Sequence, residues 1–537
     1  MVTLVKPEWE KLLEKNIWGF ELSPFQRNSC IALLEGYNCL TMAGTGSGKT
    51  LVARFLMKLM VEKHKKKVIY CSPIKALTND LYDKFKQKYS HISFGISTGD
   101  IKENLEADVI FCTTETLENN LFLQNDEIKA LDFNLDFEKD VGAVIYDEIQ
   151  YIFSDRANAW NNSIVQLPKH IQILGLSATL AKPEKFIKWL SFVRDREAKL
   201  CCYTKRMVPL YHYGWLTVNN NGKIKNLSKQ EQKFIEEMKD KKINIKVGEN
   251  FEVENVQKMI DYKKLLAKNK IYVNEIYSLT KLFEYVKNNN ELPMLIFVYS
   301  RLKTQLLANR ITISLLEEGS KVPHIVSKFC EKKLKEKLTN WKEYTELPEY
   351  KNLIKLFQKG IAYHHSGMIP IFKELVEIVF KEGMIKLLFS TESMAVGLNL
   401  PFKSVGFVAL NKYTKNGNQY LTTDQYLQQA GRAGRRGLDD KGCVYHVYNN
   451  FKDNKRNPLD VSTYGRIVNG KLVEPGSKIQ INFNMLLKLI ERGVDAGEFI
   501  KKSYTNMTDS EIESQVKENS DLLNYEGLID ELEINCK

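Results

Sequence analysis

Eight residues, Ala43-Gly44-Thr45-Gly46-Ser47-Gly48-Lys49-Thr50, restrict this chain more than any other stretch. The residues before them, Cys39-Leu40-Thr41-Met42, read as a short buried strand, and Leu51 to Val61 are apolar at helical spacing. A glycine-rich turn between strand and helix points backbone N–H groups at a phosphate, and the helix amino terminus adds a favourable dipole. In such a loop Lys49 is placed to reach β- and γ-phosphates, and the Thr50 hydroxyl to ligate Mg²⁺. The general pattern opens on glycine; Ala43 stands there instead, and a side chain that small still fits. A Gly-rich turn in an ordinary α/β domain is the competing reading. The Lys-Thr pair, with strand and helix on either side, disfavours it.

A chain of 537 residues is too long for one core, so two large domains with extra pieces are expected. Hydrophobic content of 43% with 27% charged residues is that of an ordinary soluble globular protein. No run of about eighteen apolar residues is present, which argues against a membrane span. Met1 to Asn16 is charged and amphipathic, with no secretory h-region, so an intracellular location, cytoplasmic or nuclear, is expected. The nine cysteines include no CxxC pair, and zinc is not indicated. A net charge of +12 leans towards a polyanionic partner. The run Lys63-His64-Lys65-Lys66-Lys67 reads as a solvated helix end leading into a strand.

Upstream of the loop, Phe20-Glu21-Leu22-Ser23-Pro24-Phe25-Gln26 precedes a helical stretch, Arg27 to Glu35. The Gln26 amide both donates and accepts, as reading the edge of adenine requires, and Phe20 is a candidate to stack on the base. The strand Val68-Ile69-Tyr70-Cys71 runs into Ser72-Pro73-Ile74-Lys75, where Lys75 suits a sugar–phosphate backbone. Two hydroxyl-rich turns, with Thr98 and Gly99 in the first and Thr114 in the second, read singly as helix caps. Together they would line the carboxyl rim of a parallel sheet, where α/β folds bind ligands. Ala143-Val144-Ile145-Tyr146 is an apolar strand ending in Asp147-Glu148-Ile149-Gln150. Asp147 is assigned to the metal, and Glu148 to orienting and deprotonating the attacking water. After the strand Ile171-Gln172-Ile173-Leu174, Ser177 and Thr179 are candidates to couple to the acidic motif and relay its state.

Gln26, the phosphate loop, Asp147-Glu148 and Ser177-Ala178-Thr179 together resemble a superfamily-2 helicase. The stretch Asp147 to Leu190 is similar to the DExH-box RNA helicases of the superkiller, exosome-assisting type. That family's box ends in His where this chain has Gln150, a coupling position. The resemblance implies ATP and Mg²⁺ as cofactors and single-stranded or tailed duplex RNA as partner, with DNA as the alternative. Protein partners of an RNA-processing complex, and no membrane, go with it. A non-hydrolysing RNA-binding scaffold is the rival from another class, and intact Lys49, Asp147 and Glu148 argue against it.

The fold implied is α/β: two tandem RecA-like domains with parallel sheets, at 1–206 and 207–450, and a short, mainly helical extension at 451–537. Tyr203 to Leu210 matches the family's linker. Asn219 to Asn290 reads as a charged helical insertion or an irregular entry to the second domain, and Lys321 to Lys351 as another charged helical stretch. Leu292 to Arg301 matches the first strand of the second domain, with Ser300 and Arg301 near backbone phosphate. His364 and His365 point to opposite faces of a strand, against a metal site. The stretch with Thr391 and Gly397 is expected to contact nucleic acid and nucleotide respectively, as in the family. Asn416-Gly417 signals a hairpin. In Gln428-Gln429-Ala430-Gly431-Arg432-Ala433-Gly434-Arg435, two arginines three apart on a Gly-interrupted helix start would face ATP held by the other domain. Gln428 is a further nucleotide contact and Arg435 the expected finger, with Arg432 beside it. ATP would then favour a closed arrangement that hydrolysis releases. Gln480 to Leu489 resembles the start of the family's helical region; the chain stops at Lys537, and reduced processivity is expected.

Overall fold

The computed structural model describes residues 19–44, 46–89, 91–99, 101–123, 135–153, 157–203, 206, 208–219, 221–392, 400, 402–414, 417–435, 437–451, 459–470, 499, 502 and 504. The chain forms two compact units, Met1–Lys205 with Glu474–Lys537, and Arg206–Val473.

The first unit is built on an eight-stranded sheet. Its strands are β1 (Asn38–Ala43), β2 (Lys67–Ser72), β3 (Phe94–Ser97), β4 (Lys102–Glu103), β5 (Val109–Thr113), β6 (Val141–Tyr146), β7 (Gln172–Ser177) and β8 (Ala198–Tyr203). They lie in the order β4-β3-β5-β2-β6-β7-β1-β8. Every pairing is parallel except β3 with β4. Strands covered on both faces are apolar nearly throughout, which is why β3, β5 and β7 are buried at every residue. One face packs around Leu56, Tyr70 and Phe111, the other around Leu40, Tyr146 and Trp189. The order has a functional consequence. The carboxyl ends of β1, β7 and β6 fall side by side, and the row continues through β2 to β5 and β3.

The helix after the phosphate loop runs Thr50–Lys58 and continues as a π-helical turn, Leu59–His64, that stops at Lys65 with φ +54°. Lys63, His64 and Lys65 are exposed. On the far side of the unit, Trp189 is fully buried, donates from Nε1 to the Lys502 carbonyl at 2.9 Å and meets Tyr504 edge-on at 5.4 Å. Trp189→Ala is expected to cost roughly 3–5 kcal/mol of stability, seen as a lowered urea midpoint. An unchanged midpoint would contradict the packing.

The second unit has a sheet of β9 (Leu210–Trp215), β10 (Lys242–Val247), β11 (Asn250–Phe251), β12 (Met294–Phe297), β13 (Ile361–His364), β14 (Leu387–Ser390), β15 (Ser404–Phe407) and β18 (Gly442–Val447). The order is β11-β10-β9-β18-β15-β12-β14-β13, antiparallel among β9, β10 and β11 and parallel elsewhere. The stretch Asn219 to Asn290 is therefore not simply helical. In β10, Ile243 and Ile245 point inward and Asn244 outward, a period of two hidden among lysines. The charged stretch after Lys321 is helical, but Val326, Cys330 and Leu334 form a buried stripe on its first helix, Val322–Lys337. A hairpin of β16 (Asn411–Thr414) and β17 (Gly417–Tyr420) stands apart, with Tyr413 exposed. Thr414 pairs with Gly417, so the connection is 415–416, one residue earlier than an Asn416-Gly417 turn, and lies outside the described residues.

The described residues after 450 are shared between the two units. The helix Val461–Asn469 belongs to the second unit, and Tyr504 packs in the core of the first. Gln480 to Leu489 lies outside the described residues.

Candidate active site

The phosphate loop joins β1 to the helix Thr50–Lys58. Gly46 and Gly48 have φ of +77° and +92°, a region glycine enters freely. Ala43 is buried as the last residue of β1. Lys49 Nζ curls back to donate to the carbonyls of Ala43 at 2.6 Å and Gly44 at 3.2 Å. Thr45 lies outside the described residues.

Gln26 is the third residue of the helix Pro24–Leu34 and belongs to its capping box. Its Oε1 accepts from Ser23 N at 3.0 Å and Ser23 Oγ at 2.8 Å, and its Nε2 donates to the Gly48 carbonyl at 3.1 Å. Both lone pairs of Oε1 are thus engaged. One N–H remains, which can donate to an adenine ring nitrogen; the amide cannot also accept from the exocyclic amine in this arrangement. Phe20 exposes 46% of its surface, as a stacking platform needs.

Asp147 follows β6. Its Oδ2 accepts from Tyr70 OH at 2.8 Å and its Oδ1 from Glu148 N at 3.0 Å. Burial, then the adjacent Glu148 charge, raise the Asp147 pKa to about 7, against the pull of Tyr70 and Lys49. The influence of Lys49 places loop and acidic pair in one site. A buried carboxylate beside a second one is matched by a hard divalent cation, and Mg²⁺ characteristically takes one or two carboxylates plus substrate oxygens. Thr50 and Asp147 fit as its holders. Among the described residues no cluster of three or more His, Cys, Asp or Glu is arranged for a metal.

Glu148 has φ +55°, unusual for a residue with a side chain and costing roughly 1–2 kcal/mol. It is held by a short polar chain. Gln150 Nε2 donates to Glu148 Oε2 at 2.5 Å, and Ser177 Oγ donates to Gln150 Oε1 at 2.6 Å or to the Thr179 carbonyl at 2.7 Å. The neighbouring ends of β6 and β7 bring these residues together. Tyr70 was not indicated by any sequence pattern.

The other half of the rim holds the backbone-contact candidates. Lys75 and Gly99 meet there, since a Cβ on Gly99 would lie 2.8 Å from Lys75 Nζ. Both are exposed. Thr98 and Thr114 are buried, at 2% and 0% exposure, and Thr98 Oγ1 accepts from Ile101 N at 3.3 Å. The Thr98 hydroxyl therefore braces its turn and the Thr114 hydroxyl is buried without a hydrogen-bond partner among the described residues, so neither is a surface contact in this conformation, which corrects the sequence expectation for both side chains.

In the second unit the candidates divide between the two edges of the sheet. At the carboxyl edge, Ser300 caps the helix Arg301–Arg310, and Arg301 is exposed in its first turn beside Gly367. His365 Nε2 and Gln305 Nε2 are 2.9 Å apart, buried His364 lies 3.4 Å from Glu377, and Thr391 follows β14. Gly397 lies outside the described residues.

The arginines sit at the amino edge. They follow the end of the helix Thr423–Ala430 instead of starting one. The glycines explain this: Gly431 closes the helix, and Gly434 has φ +87° with no room for a Cβ beside Val208. Ala433 bridges Phe402 just ahead of β15, and Gly442 N bonds Pro209 O just ahead of β9. Arg435 is gripped by Asp439, with Nε to Oδ2 at 2.7 Å, Nη2 to Oδ1 at 2.8 Å and the backbone N to Oδ2 at 2.9 Å. Although burial works the other way, this fork holds the Asp439 carboxyl below its usual range. Gln428 is half-buried, while its neighbour Gln429 is buried and accepts from Tyr299 OH at 2.6 Å. Asp439 was missed in the sequence, although an acid four residues after Arg435 was the available signal.

Comparison with known proteins follows this geometry. The profile of the DEAD/DEAH box helicase family matches residues 23–186, and that of the helicase conserved C-terminal domain matches 321–437. The chain is 29% identical over 558 residues to antiviral helicase SKI2 of Saccharomyces cerevisiae, covering 93% of this chain and 42% of that protein. It is 30% identical over 470 residues to the DExH-box ATP-dependent RNA helicase DExH9 of Arabidopsis thaliana, covering 87% and 44% respectively. With Superkiller complex protein 2 of Homo sapiens it shares 28% identity over 507 residues, covering 91% and 37%. The chain thus spans less than half the length of these relatives.

Proposed function

We propose that the chain is a DExH-box helicase of the superkiller type, an RNA-dependent ATPase that couples hydrolysis to movement along single-stranded RNA and to duplex unwinding. The observation that carries this reading is the adjacency of the phosphate loop, Asp147-Glu148 and Ser177 at the ends of β1, β6 and β7. In this reading Lys49 exchanges its two loop carbonyls for the phosphates of ATP. Phe20 and the free N–H of Gln26 orient the base. Mg²⁺, held through Thr50 and Asp147, would neutralise phosphate charge. Glu148 accepts a proton from the attacking water, and Arg432 and Arg435 offset charge on the transferring group.

Lys75 and Gly99 in the first unit, and Ser300, Arg301 and Thr391 in the second, are the proposed sugar–phosphate contacts. Such contacts carry little sequence preference. An intracellular setting and partners in an RNA-processing complex are part of the proposal. Among the described residues no helix is long and apolar enough to cross a membrane.

Phosphate release with and without RNA tests the activity, and 3′- and 5′-tailed RNA and DNA duplexes side by side test the substrate. RNA stimulation with RNA unwinding is expected. Equal preference for DNA would overturn the substrate class, and hydrolysis at background in every arm would leave only a binding scaffold. Coupling has its own test. Ser177→Ala removes the donor to Gln150, so the unwinding rate should fall at least about tenfold, the equivalent of one hydrogen bond of roughly 1.4 kcal/mol, while ATP turnover falls less. Proportional loss of both would count against a relay.

A further inference from the structure

Arg206 is the first residue of the second unit, three residues beyond the end of β8. Among the described residues its guanidinium is hydrogen-bonded to backbone carbonyls. It donates from Nε to the Val208 carbonyl at 3.2 Å and from Nη2 to the carbonyls of Gly431 and Ala433, both at 3.1 Å. Those last two carbonyls flank Arg432 on either side. Gly431 is also the carboxyl cap of the helix Thr423–Ala430, where peptide carbonyls lack intrahelical donors and a cation is favoured.

The grip on this turn is tight. A Cβ on Gly431 would lie 3.1 Å from Arg206 Nη1. Burial lowers the Arg206 pKa to about 10, so the charge is kept there at a desolvation cost that its carbonyl partners offset. Next along the chain, Gly434 N bonds the Phe402 carbonyl at 2.9 Å, and Arg435 is forked to Asp439. Arg435 is anchored through its side chain, while the carbonyls on either side of Arg432 are held by Arg206 and the Arg432 N–H by the Gln429 carbonyl at 3.1 Å.

We propose that Arg206 is a positioning residue for Arg432: by clamping the carbonyls of Gly431 and Ala433 it sets the direction in which the Arg432 guanidinium is presented to the transferring phosphoryl group. This rests on the ATPase reading above. A planar two-nitrogen donor is needed for the reach, which a lysine ammonium does not reproduce.

The test is single-turnover and steady-state ATP hydrolysis by the full chain, with saturating RNA, for Arg206→Ala, Arg206→Lys, Arg432→Ala and the Arg206→Ala/Arg432→Ala pair. Displacing a catalytic group by about 1 Å can cost roughly 10²-fold, so kcat of Arg206→Ala should fall by about 10- to 100-fold with KM for ATP within about twofold. The pair should be no slower than Arg432→Ala alone, because a group that is absent cannot be mispositioned. Arg206→Lys should fold and still lose about fivefold or more in kcat.

A folded Arg206→Ala with native kcat, or losses that multiply in the pair, would overturn the proposal. If thermal melting shows Arg206→Ala unfolded, Arg206→Lys decides, and native kcat there overturns it. Native turnover in Arg432→Ala would instead refute the ATPase reading of the arginines, and this positioning role with it. Impaired Arg432→Ala beside unaffected Arg206 variants refutes the positioning role alone.

Discussion

Glu148→Gln should bind ATP as the native chain does and release phosphate roughly 10²- to 10⁴-fold more slowly, the span a positioned general base supplies. The substitution keeps the size of the side chain and an oxygen for Gln150 to bond, so the strained backbone at φ +55° and the relay to Ser177 remain supported. What is removed is the capacity to take a proton from water. Fluorescent-nucleotide titration measures binding, and single-turnover phosphate release measures the chemistry. Turnover within about threefold of native would take Glu148 out of the base role. Lys49→Ala is the companion variant, expected to lose nucleotide affinity as well as rate, since the amine that now bonds Ala43 and Gly44 is the one offered to phosphate.

Removing the arginines should have the larger effect. An arginine that completes a phosphoryl-transfer site contributes roughly 10³–10⁵ in rate, so Arg432→Ala and Arg435→Ala are each expected to slow phosphate release by about that factor with nucleotide binding retained. Arg435→Ala carries a second consequence, because the Asp439 side chain is only 1% exposed and would lose its fork. Arg435 is itself 24% exposed and Lys403 stays 4.0 Å from Asp439, so breaking the pair from one side costs about 1.5–3 kcal/mol. Arg435→Ala/Asp439→Asn separates the two effects: stability should return while turnover stays low. If turnover returned with stability, Arg435 would be a structural residue and the arginine role would rest on Arg432 alone. Native rates in both single variants would sink the motor interpretation.

What the sequence reveals here follows the distance over which a feature is encoded. The phosphate loop and the Asp147-Glu148 pair are contiguous runs joined to apolar strands, and their place in the fold could be read directly. Tyr70, which holds Asp147, is 77 residues away and reaches it only because β2 and β6 are neighbours. Arg206 and the turn it clamps are more than 200 residues apart in the chain. Lysines at Lys242 and Lys246 hide the alternation of β10, so composition suggested helix where the backbone adds a strand. The hydroxyls of Thr98 and Thr114 were read by type alone, and type does not reveal whether a turn faces inward. The arginine turn shows the same limit from another side: Gly431 and Gly434 mark a break in a helix without saying which end of it they occupy.

The primary amide of Gln150 gives the link between Glu148 and Ser177 a chemical constancy that an imidazole at the same point would lack. An amide neither gains nor loses a proton across the range, about pH 5 to 8, in which histidine changes charge. Under the proposed function, acidification can slow the reaction through other groups, but the number of ATP molecules consumed per base pair opened should stay level as the medium turns acid. The Gln150→His form should drift over the same range.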